Sequence, residues 1–305
     1  MIELLTGNRA VPGPFLIQGV YATKTGSLTA RNGQCNVLID NFIYSYGGSY
    51  GSPNNTMERY DITSDSWSAV TFNNAPPVAR HSPAFCLLDN KLYMFGGSTG
   101  VNWGPMTNEA WSYDFTTKLW TQLANYPAAL ALCTAVAIGG KIYILGGYTG
   151  SGPSSPFHEY NPVTNTYRAI THPLSARYGH KAVAIKGKMY VFAGSTGAAA
   201  VTETRSYDPA TDTWVTLKPA PEGKAHSYVA AIGDMVYLYG GRQGTEPSAI
   251  IKLYRYNTLT GNWTELPSGS SRLYLGACVA TSDALYLHGG WDGVSQSANT
   301  LIKIT

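Results

Sequence analysis

The chain has 305 residues, of which 44% are hydrophobic and 13% are charged, with a formal net charge of +3. The hydrophobic share excludes a disordered chain, and the length is sufficient for a substantial core. The small net charge gives no indication of nucleic-acid binding. No stretch approaches the roughly 20 apolar residues of a membrane span, and the first residues show no apolar region typical of a secretion signal. We therefore expect no membrane insertion and a cytoplasmic or virion-associated location.

An apolar run that ends in two adjacent small residues recurs along the chain. The first small residue of each pair stands 47–50 residues after the previous one: Gly47, Gly96, Gly146, Ala193, Gly240 and Gly289. Another apolar run precedes each of these, for example TAVAI at 134–138. The two runs predict strands a and b of a repeating unit. Because apolar residues follow one another without alternation, both faces of each small sheet must be buried.

Two further strands, c and d, are predicted after the glycine pair in five repeats. A tyrosine and a second aromatic residue stand seven residues apart around a polar hairpin signature: Tyr60/Trp67, Tyr113/Trp120, Tyr160/Tyr167, Tyr207/Trp214 and Tyr256/Trp263. We expect glycine to leave room for these rings, since their burial outweighs the strand preference lost at glycine, about 1 kcal/mol. Thin four-stranded sheets buried on both faces predict a ring of blades, that is, a β-propeller.

The spacing and residue columns of these repeats resemble the kelch repeat over roughly residues 15–305. The resemblance implies an all-β, six-bladed propeller with four-stranded blades in a single domain. Residues 1–14 are left as an N-terminal arm of unknown role, for which contact with another subunit is one interpretation.

The sixth repeat lacks a d strand, because the chain ends at Thr305 soon after the predicted c strand. In four repeats the d-strand aromatic stands ten residues before the start of the next unit. Counting back ten residues from Arg31 gives Tyr21. We therefore predict that residues 18–24 form strand d of the sixth blade and close the ring, as is common in kelch propellers.

The position sixteen residues before each glycine pair lies between strand d of one blade and strand a of the next, and we call it the d–a column. It contains Arg31, Arg80, Leu130, Arg177, Lys224 and Leu273. Kelch domains of ubiquitin-ligase adaptors use arginines here to hold acidic peptides, and the resemblance implies that role for Arg31, Arg80 and Arg177. A guanidinium group suits carboxylates because it can bind them through two hydrogen bonds. Alternatively, these side chains pair with local carboxylates or face water.

Aromatic residues are predicted on the same face of the propeller. The b–c loops carry Tyr50, Trp103, Tyr148, Arg242 and Trp291, and Tyr178 and Tyr274 directly follow the d–a column. Such side chains can stack on sugars or peptides, although packing between neighbouring loops is the alternative. The predicted ligand-binding residues are Arg31, Arg80, Arg177, Lys224, Tyr178, Tyr274, Arg242, Trp291 and Trp103.

The sequence contains no recognisable catalytic or metal-binding pattern. The motifs HxH, HExxH and the Walker loop are absent, and we expect neither a metal nor another cofactor. Four widely spaced cysteines are expected to be free buried thiols: Cys35, Cys86, Cys133 and Cys278. His288 replaces the aromatic residue before the glycine pair, which predicts a core position. The copper site of galactose-oxidase-like propellers and the iron-binding pattern of specifier proteins are not matched.

These observations favour a non-catalytic binding module that presents a basic, aromatic-lined face to a protein, an acidic peptide or a glycan, and no nucleic acid. A surface or phage-virion adhesin, such as a tail or decoration protein, is a variant that fits the low charge and hydroxyl-rich loops. The alternative is a carbohydrate-active kelch enzyme. Sialic-acid mutarotases are six-bladed kelch proteins that need little beyond an arginine and an acid/base group, so the resemblance leaves that activity open.

Overall fold

The computed structural model describes residues 16–101, 103–243, 250–292 and 298–305. Their strands form six four-stranded antiparallel sheets arranged in a ring, which confirms the six-bladed propeller. The a strands of neighbouring blades contact one another and are the innermost strands. Within the described part of the chain, no helix is long and apolar enough to cross a membrane. The predicted arm, residues 1–14, lies outside the described residues, so the division into an arm and a propeller stays a prediction.

The strands are numbered β1–β26 in chain order, and each blade runs from strand a at the axis to strand d at the rim. Blade 1 contains β2 (Cys35–Ile39), β3 (Phe42–Tyr46), β6 (Met57–Asp61) and β7 (Ser66–Val70), with β4 (Ser49–Tyr50) and β5 (Ser52–Pro53) in its b–c loop. Blade 2 contains β8 (Ala84–Leu88), β9 (Lys91–Phe95), β10 (Ala110–Asp114) and β11 (Leu119–Gln122). Blade 3 contains β12 (Thr134–Ile138), β13 (Lys141–Tyr148), β14 (Pro153–Asn161) and β15 (Thr166–Ala169).

The remaining three blades have the same order. Blade 4 contains β16 (Lys181–Ile185), β17 (Lys188–Phe192), β18 (Thr204–Asp208) and β19 (Thr213–Thr216). Blade 5 contains β20 (Tyr228–Ile232), β21 (Met235–Tyr239), β22 (Leu253–Asn257) and β23 (Asn262–Leu266). Blade 6 contains β24 (Ala277–Ala280), β25 (Leu285–His288), β26 (Leu301–Ile304) and, as strand d, β1 (Tyr21–Lys24) from the start of the chain.

The N-terminal strand closes the ring in the predicted register. Strand β1 pairs antiparallel with β26, and it is shorter than the predicted segment 18–24. The Tyr21 hydroxyl donates to the carbonyl of Pro267 at 2.8 Å. The d-strand Tyr167 makes the same bond to Ala124, also at 2.8 Å. Tyr21 therefore occupies the d-strand aromatic position of the sixth blade, as the count from Arg31 predicted.

The hydrophobic core lies between neighbouring blades. The c-strand tyrosines are all at most 1% exposed: Tyr60, Tyr113, Tyr160, Tyr207 and Tyr256. At the interface of blades 2 and 3, the ring of Phe95 packs edge-on against Tyr160 with centroids 5.4 Å apart. His288, predicted to be a core residue, is fully buried, and its ring lies 4.7 Å from Trp67 of the first blade. All four cysteines are free; Cys35 and Cys86 are buried, and Cys133 and Cys278 are partly buried.

The glycine pair serves the contact between blades, which corrects our explanation that it makes room for aromatic rings. A Cβ atom on Gly96 would lie 2.2 Å from the carbonyl oxygen of Leu130 in the next blade. The N–H of Gly97 donates to that same oxygen at 2.8 Å. Both glycines have positive φ, +67° and +104°, which is the region that side chains disfavour. Ala193 takes the same conformation, with a φ of 56°.

The N–H bond of the second glycine recurs at every blade interface and joins each blade to the d–a column of the next. The donor and acceptor residues are Gly48 to Arg80, Gly97 to Leu130, Gly147 to Arg177, Gly194 to Lys224, Gly241 to Leu273 and Gly290 to Arg31. The last of these bonds joins the sixth blade to the first. Glycine therefore recurs in this column because backbone hydrogen bonds join each blade closely to the next one around the ring.

Replacing Gly96 with alanine is expected to lower the free energy of unfolding by about 1–3 kcal/mol more than replacing Gly140 does. Both glycines have a positive φ, +67° and +73°, so the backbone strain is matched. A Cβ on Gly140 meets no atom within 4 Å, whereas one on Gly96 collides with the neighbouring blade. Urea unfolding of the two variants measures the difference. Equal losses would show that the approach of the Leu130 carbonyl does not require glycine.

Candidate functional site

The arginines of the d–a column lie inside their own blades. The Arg31 side chain is fully buried, and its Nη2 donates to Oε1 of Glu58 on strand c at 2.5 Å. Its Nη1 donates to the carbonyl of Gly47 at 3.0 Å, and its Nε donates to that of Thr29 at 3.4 Å. Burial lowers the pKa of Arg31, and the charge of Glu58 opposes this effect. Arg31 therefore links the start of its blade to the end of strand b and to strand c.

Two other blades repeat this arrangement. Arg80 and Arg177 are 1% and 2% exposed, and each donates through Nη1 to the carbonyl of the first residue of its own glycine pair. Each donates through Nη2 to a glutamate near the start of strand c. The three pairs are Arg31–Glu58, Arg80–Glu109 and Arg177–Glu203. The guanidinium groups are thus satisfied within the blade.

Lys224, the fourth predicted cation, is also buried and paired. It forms an ion pair with Glu222 at 3.3 Å, and its Nζ lies 4.5 Å from the ring centroid of Tyr254. Burial lowers the pKa of Lys224 to about 8, and the charge of Glu222 opposes this effect. The d–a column therefore does not form the open ring of cations that the sequence suggested. The alternative, pairing with local carboxylates, is the arrangement observed.

The predicted aromatic residues do meet on one face. The residue after the d–a column forms a backbone bridge with the residue after the glycine pair in every blade: Asn32–Ser49, His81–Ser98, Ala131–Tyr148, Tyr178–Ser195, Ala225–Arg242 and Tyr274–Trp291. These bridges place the two sets of loops side by side around the axis. We call this end of the propeller the mouth. The mouth cluster consists of Trp103, Tyr148, Tyr178, Arg242, Tyr274 and Trp291.

Ring contacts connect the cluster across the mouth. Tyr148 and Tyr178 have centroids 5.2 Å apart, and Tyr274 and Trp291 have centroids 5.7 Å apart. The imidazole of His226 lies between these two pairs, 5.7 Å from Tyr178 and 6.4 Å from Tyr274. This His226 ring is buried and neutral, because desolvation lowers its pKa to about 3. The result is a continuous row of ring contacts from the third blade to the sixth.

Exposure differs among the mouth residues. Trp291 is 37% exposed, whereas Tyr274 is buried beneath it and beneath Arg242, whose guanidinium carbon lies 5.8 Å from the Tyr274 centroid. Trp103 packs against the ring of His81 at 4.8 Å. Tyr50, also noted in the sequence, is 54% exposed. Trp291 and the partly buried Trp103, Tyr148, Tyr178 and Arg242 are thus the members that a partner can reach.

A closed ring of backbone hydrogen bonds surrounds the axis at the mouth. Six residues, each two positions after the d–a column, take part: Gly33, Ser82, Leu132, Gly179, His226 and Leu275. The N–H of each donates to the carbonyl of the corresponding residue in the preceding blade, at 2.6–3.1 Å, and Gly33 donates to Leu275 to complete the circle. All six have φ between 54° and 63°. We call this arrangement the peptide ring.

The peptide ring is a part of the mouth that the sequence did not reveal. Two of the six ring positions are glycine, and this is the one sequence signal of the left-handed backbone conformation. A Cβ on Gly179 would lie 2.5 Å from the His226 imidazole, and one on Gly33 would lie 2.4 Å from the Ser82 hydroxyl. The side chain of one ring position thus fills the space that glycine leaves in the preceding blade.

Two family descriptions match the chain. The Attractin/LZTR1 beta-propeller family matches residues 43–248, more than half of the chain, and the Kelch motif matches residues 227–270. The chain is also similar to Kelch-like protein 25 of Xenopus laevis, with 34% identity, and of Rattus norvegicus, with 36% identity, each over 62 residues. These matches cover 20% of this chain and 10% of the relatives. The chain thus spans about a tenth of the length of the curated relatives that it matches.

A solved structure has the same fold. The structure of YjhT superimposes with a TM-score of 0.77 over 92% of this chain and 97% of that one, at 16% sequence identity. At this identity the likeness shows the fold alone. Together with the family matches and the six four-stranded blades, it agrees with the repeat columns of the sequence. The chain belongs to the kelch-repeat β-propeller family and matches its Attractin/LZTR1 beta-propeller description.

Proposed function

We propose that the chain is a non-catalytic binding module whose mouth cluster holds a protein or peptide partner. The observation that carries the proposal is the continuous row of ring contacts from Tyr148 through Tyr178, His226 and Tyr274 to Trp291. Tyr148, Tyr178 and Trp291 are its accessible members. Rigid aromatic side chains supply large contact area at low entropic cost and are enriched where proteins bind one another. Kelch-type propellers generally act as interaction modules, which is consistent with this role.

The shape of the mouth supports a protein or peptide more than an enclosed small molecule. Leu132 and Leu275, on opposite blades, belong to one apolar cluster at the peptide ring, together with Tyr148 and Tyr178. The mouth is therefore closely packed at its centre. Small-molecule sites are usually concave and enclose most of the ligand, whereas protein partners bind flatter aromatic surfaces.

The charges of the mouth indicate which chemical groups we expect in a partner. The four cations of the d–a column are buried in local pairs, so they do not form an open basic lining. Arg242 is the cationic member of the mouth cluster and lies over Tyr274. We therefore propose a partner segment that stacks an aromatic or proline residue on the cluster and places an acidic group near Arg242. A glycan with an acidic substituent is the second candidate, because sugar rings also stack on aromatic faces.

A double variant, Tyr178→Ala/Trp291→Ala, is expected to weaken partner binding at least tenfold, because both truncated side chains are members of the mouth cluster that a partner can reach. The probes are a phage-displayed peptide library and a glycan array, with affinities of selected ligands measured by titration calorimetry. The matched control is Val163→Ser/Leu259→Ser. These two side chains are 91% and 70% exposed on c–d hairpins at the opposite end of the propeller, and their loss is expected to leave affinity unchanged.

The outcome separates the candidate functions. Peptide binding that the mouth variant loses and the control keeps supports the binding module. Chemical conversion of an array sugar, with loss in the mouth variant, would replace the proposal by the carbohydrate-active enzyme. Binding that resides in residues 1–14 would instead favour the surface or virion adhesin, in which the arm contacts another subunit. Equal loss in both double variants would contradict a site at the mouth.

A further inference from the structure

A cavity with a mixed polar and apolar lining lies on the propeller axis next to the peptide ring. Its volume is about 180 Å³, and the starts of the a strands line it, with the peptide ring at one end. A second space of about 340 Å³, with apolar walls that include Val37, Ala184 and Val279, shares Phe85 and Ala135 with it. The axis is thus a channel with more polar lining residues close to the mouth.

Lys181 is the charged side chain in the lining of this cavity, and no carboxylate lines it within the part of the chain that the structure describes. The lysine is the first residue of its a strand. The equivalent positions of the other blades are neutral: Cys35, Ala84, Thr134, Tyr228 and Ala277. The ion pairs found among the described residues do not include Lys181. The positive charge of Lys181 is therefore uncompensated.

The titratable groups around Lys181 are neutral near pH 7. Burial lowers the pKa of His180 and of His226 to about 3. Burial also raises the pKa of the Cys278 thiol to about 12, and it raises that of the Cys35 thiol as well. Desolvation lowers the pKa of Lys181 itself to about 8. Near pH 7 the ammonium form is still present, on a partly exposed side chain that lines the cavity.

Two buried polar atoms of the lining residues have no partner. His180 is 1% exposed, and its Nε2 lies 3.1 Å from the carbonyl of Leu145, which places the proton on Nε2 and leaves the lone pair of Nδ1 free. Gln34 is 3% exposed. Its amide nitrogen donates to the backbone carbonyl of His288 at 2.8 Å, and its Oε1 is unpaired. Both atoms are acceptors enclosed in the packing between blades, so solvation of an ion in the cavity is left to Lys181 and to cavity water.

We propose that the central cavity binds a small monovalent anion, of the class of halides and one- or two-carbon carboxylates, against the ammonium group of Lys181. Water molecules in the cavity complete its solvation. Each water in the liquid occupies about 30 Å³, so the cavity takes such an anion with a few waters but no sugar or peptide. The anion supplies the missing negative charge at the centre of the ring.

The test uses bromide as the probe. In the whole protein, sodium gluconate, whose anion is too large for the cavity, is replaced by sodium bromide at constant ionic strength. The wild-type melting temperature is expected to rise by about 2–4 °C at bromide concentrations near ten times the dissociation constant. Lys181→Met keeps the side-chain length, removes the charge and is expected to abolish the rise. Lys186→Met is the matched control, since Lys186 is an exposed lysine of the same blade that pairs with Asp234.

A crystal of the wild type soaked in bromide gives an independent measurement. An anomalous peak in contact with Lys181 Nζ is expected, and it decides the question even where Lys181→Met does not fold. An equal rise in melting temperature for wild type and Lys181→Met would overturn the proposal. A bromide map with no peak at Lys181 Nζ would also overturn it.

Discussion

The Glu58→Ala variant is expected to lose about 3–5 kcal/mol of unfolding free energy, because it leaves the guanidinium of Arg31 buried without its counter-charge. The Arg31 and Glu58 side chains are 0% and 4% exposed, so water cannot replace the carboxylate. Glu58 also accepts the backbone N–H of Leu28 at 3.1 Å, and that donor loses its partner as well. Denaturation by urea, followed by tryptophan fluorescence, measures the loss.

Two further variants test this explanation. Arg31→Leu/Glu58→Ala removes both charges and is expected to be more stable than Glu58→Ala alone, because an uncompensated buried charge costs more than an apolar replacement. Leucine is also the residue that blades 3 and 6 have in this column, as Leu130 and Leu273. Glu159→Ala, which breaks a pair with the half-exposed Arg168, is expected to cost less than about 1 kcal/mol. Equal losses in the single and double variants of the Arg31 pair would contradict the role of the charge.

The repeat columns are sufficient to predict the fold, because each column reflects a structural requirement within a single blade. The Tyr and Trp columns flank the c–d hairpin, and the apolar runs mark strands that are buried on both faces. Even the register of the closing strand follows from the repeat, since Tyr21 occupies the position that Tyr167 has in its own blade. Spacing alone carries this information, because every blade has the same geometry.

Contacts between residues that are far apart in the chain could not be predicted from the sequence. The carbonyl that approaches Gly96 belongs to Leu130, in another blade, so the sequence suggests aromatic packing as the reason for the glycine. In the same way, Arg31 and Glu58 stand 27 positions apart, and no spacing rule connects them. A column of cations therefore resembles an exposed ligand site in the sequence, although each is buried beside its own carboxylate.

The mouth can be predicted in part. The loops of the b–c and d–a connections do gather Tyr178, Tyr274 and Trp291 on one face, as propeller topology requires. Which of these side chains stays accessible depends on how they stack, and Tyr274 is covered. The peptide ring could not be predicted, because Leu132 and Leu275 adopt a positive φ that their residue type disfavours. The ring of tangential hydrogen bonds imposes that conformation.

A chain starting at Gly26 is expected to melt about 10 °C below a chain starting at residue 15, and to associate with itself. Both lack residues 1–14, so the difference reports the closing segment alone. The shorter chain loses the fully buried Ile17, the Tyr21 bond to Pro267 and the Lys24 ion pair with Asp65, at 2.8 Å. It also exposes the unpaired edge of β26, which can pair with another copy. Differential scanning calorimetry and light scattering measure the two effects.

Proline substitutions in β1 provide the matched control. Val20 and Thr305 exchange both backbone hydrogen bonds, so by alternation the N–H of Ala22 points to β26 and that of Thr23 points to solvent. Ala22→Pro is therefore expected to reproduce much of the truncation, whereas Thr23→Pro, at an equally exposed neighbour, retains the strand. If the chain starting at Gly26 stays monomeric with an unchanged melting temperature, closure of the ring does not depend on β1, and the blade interfaces alone must hold it.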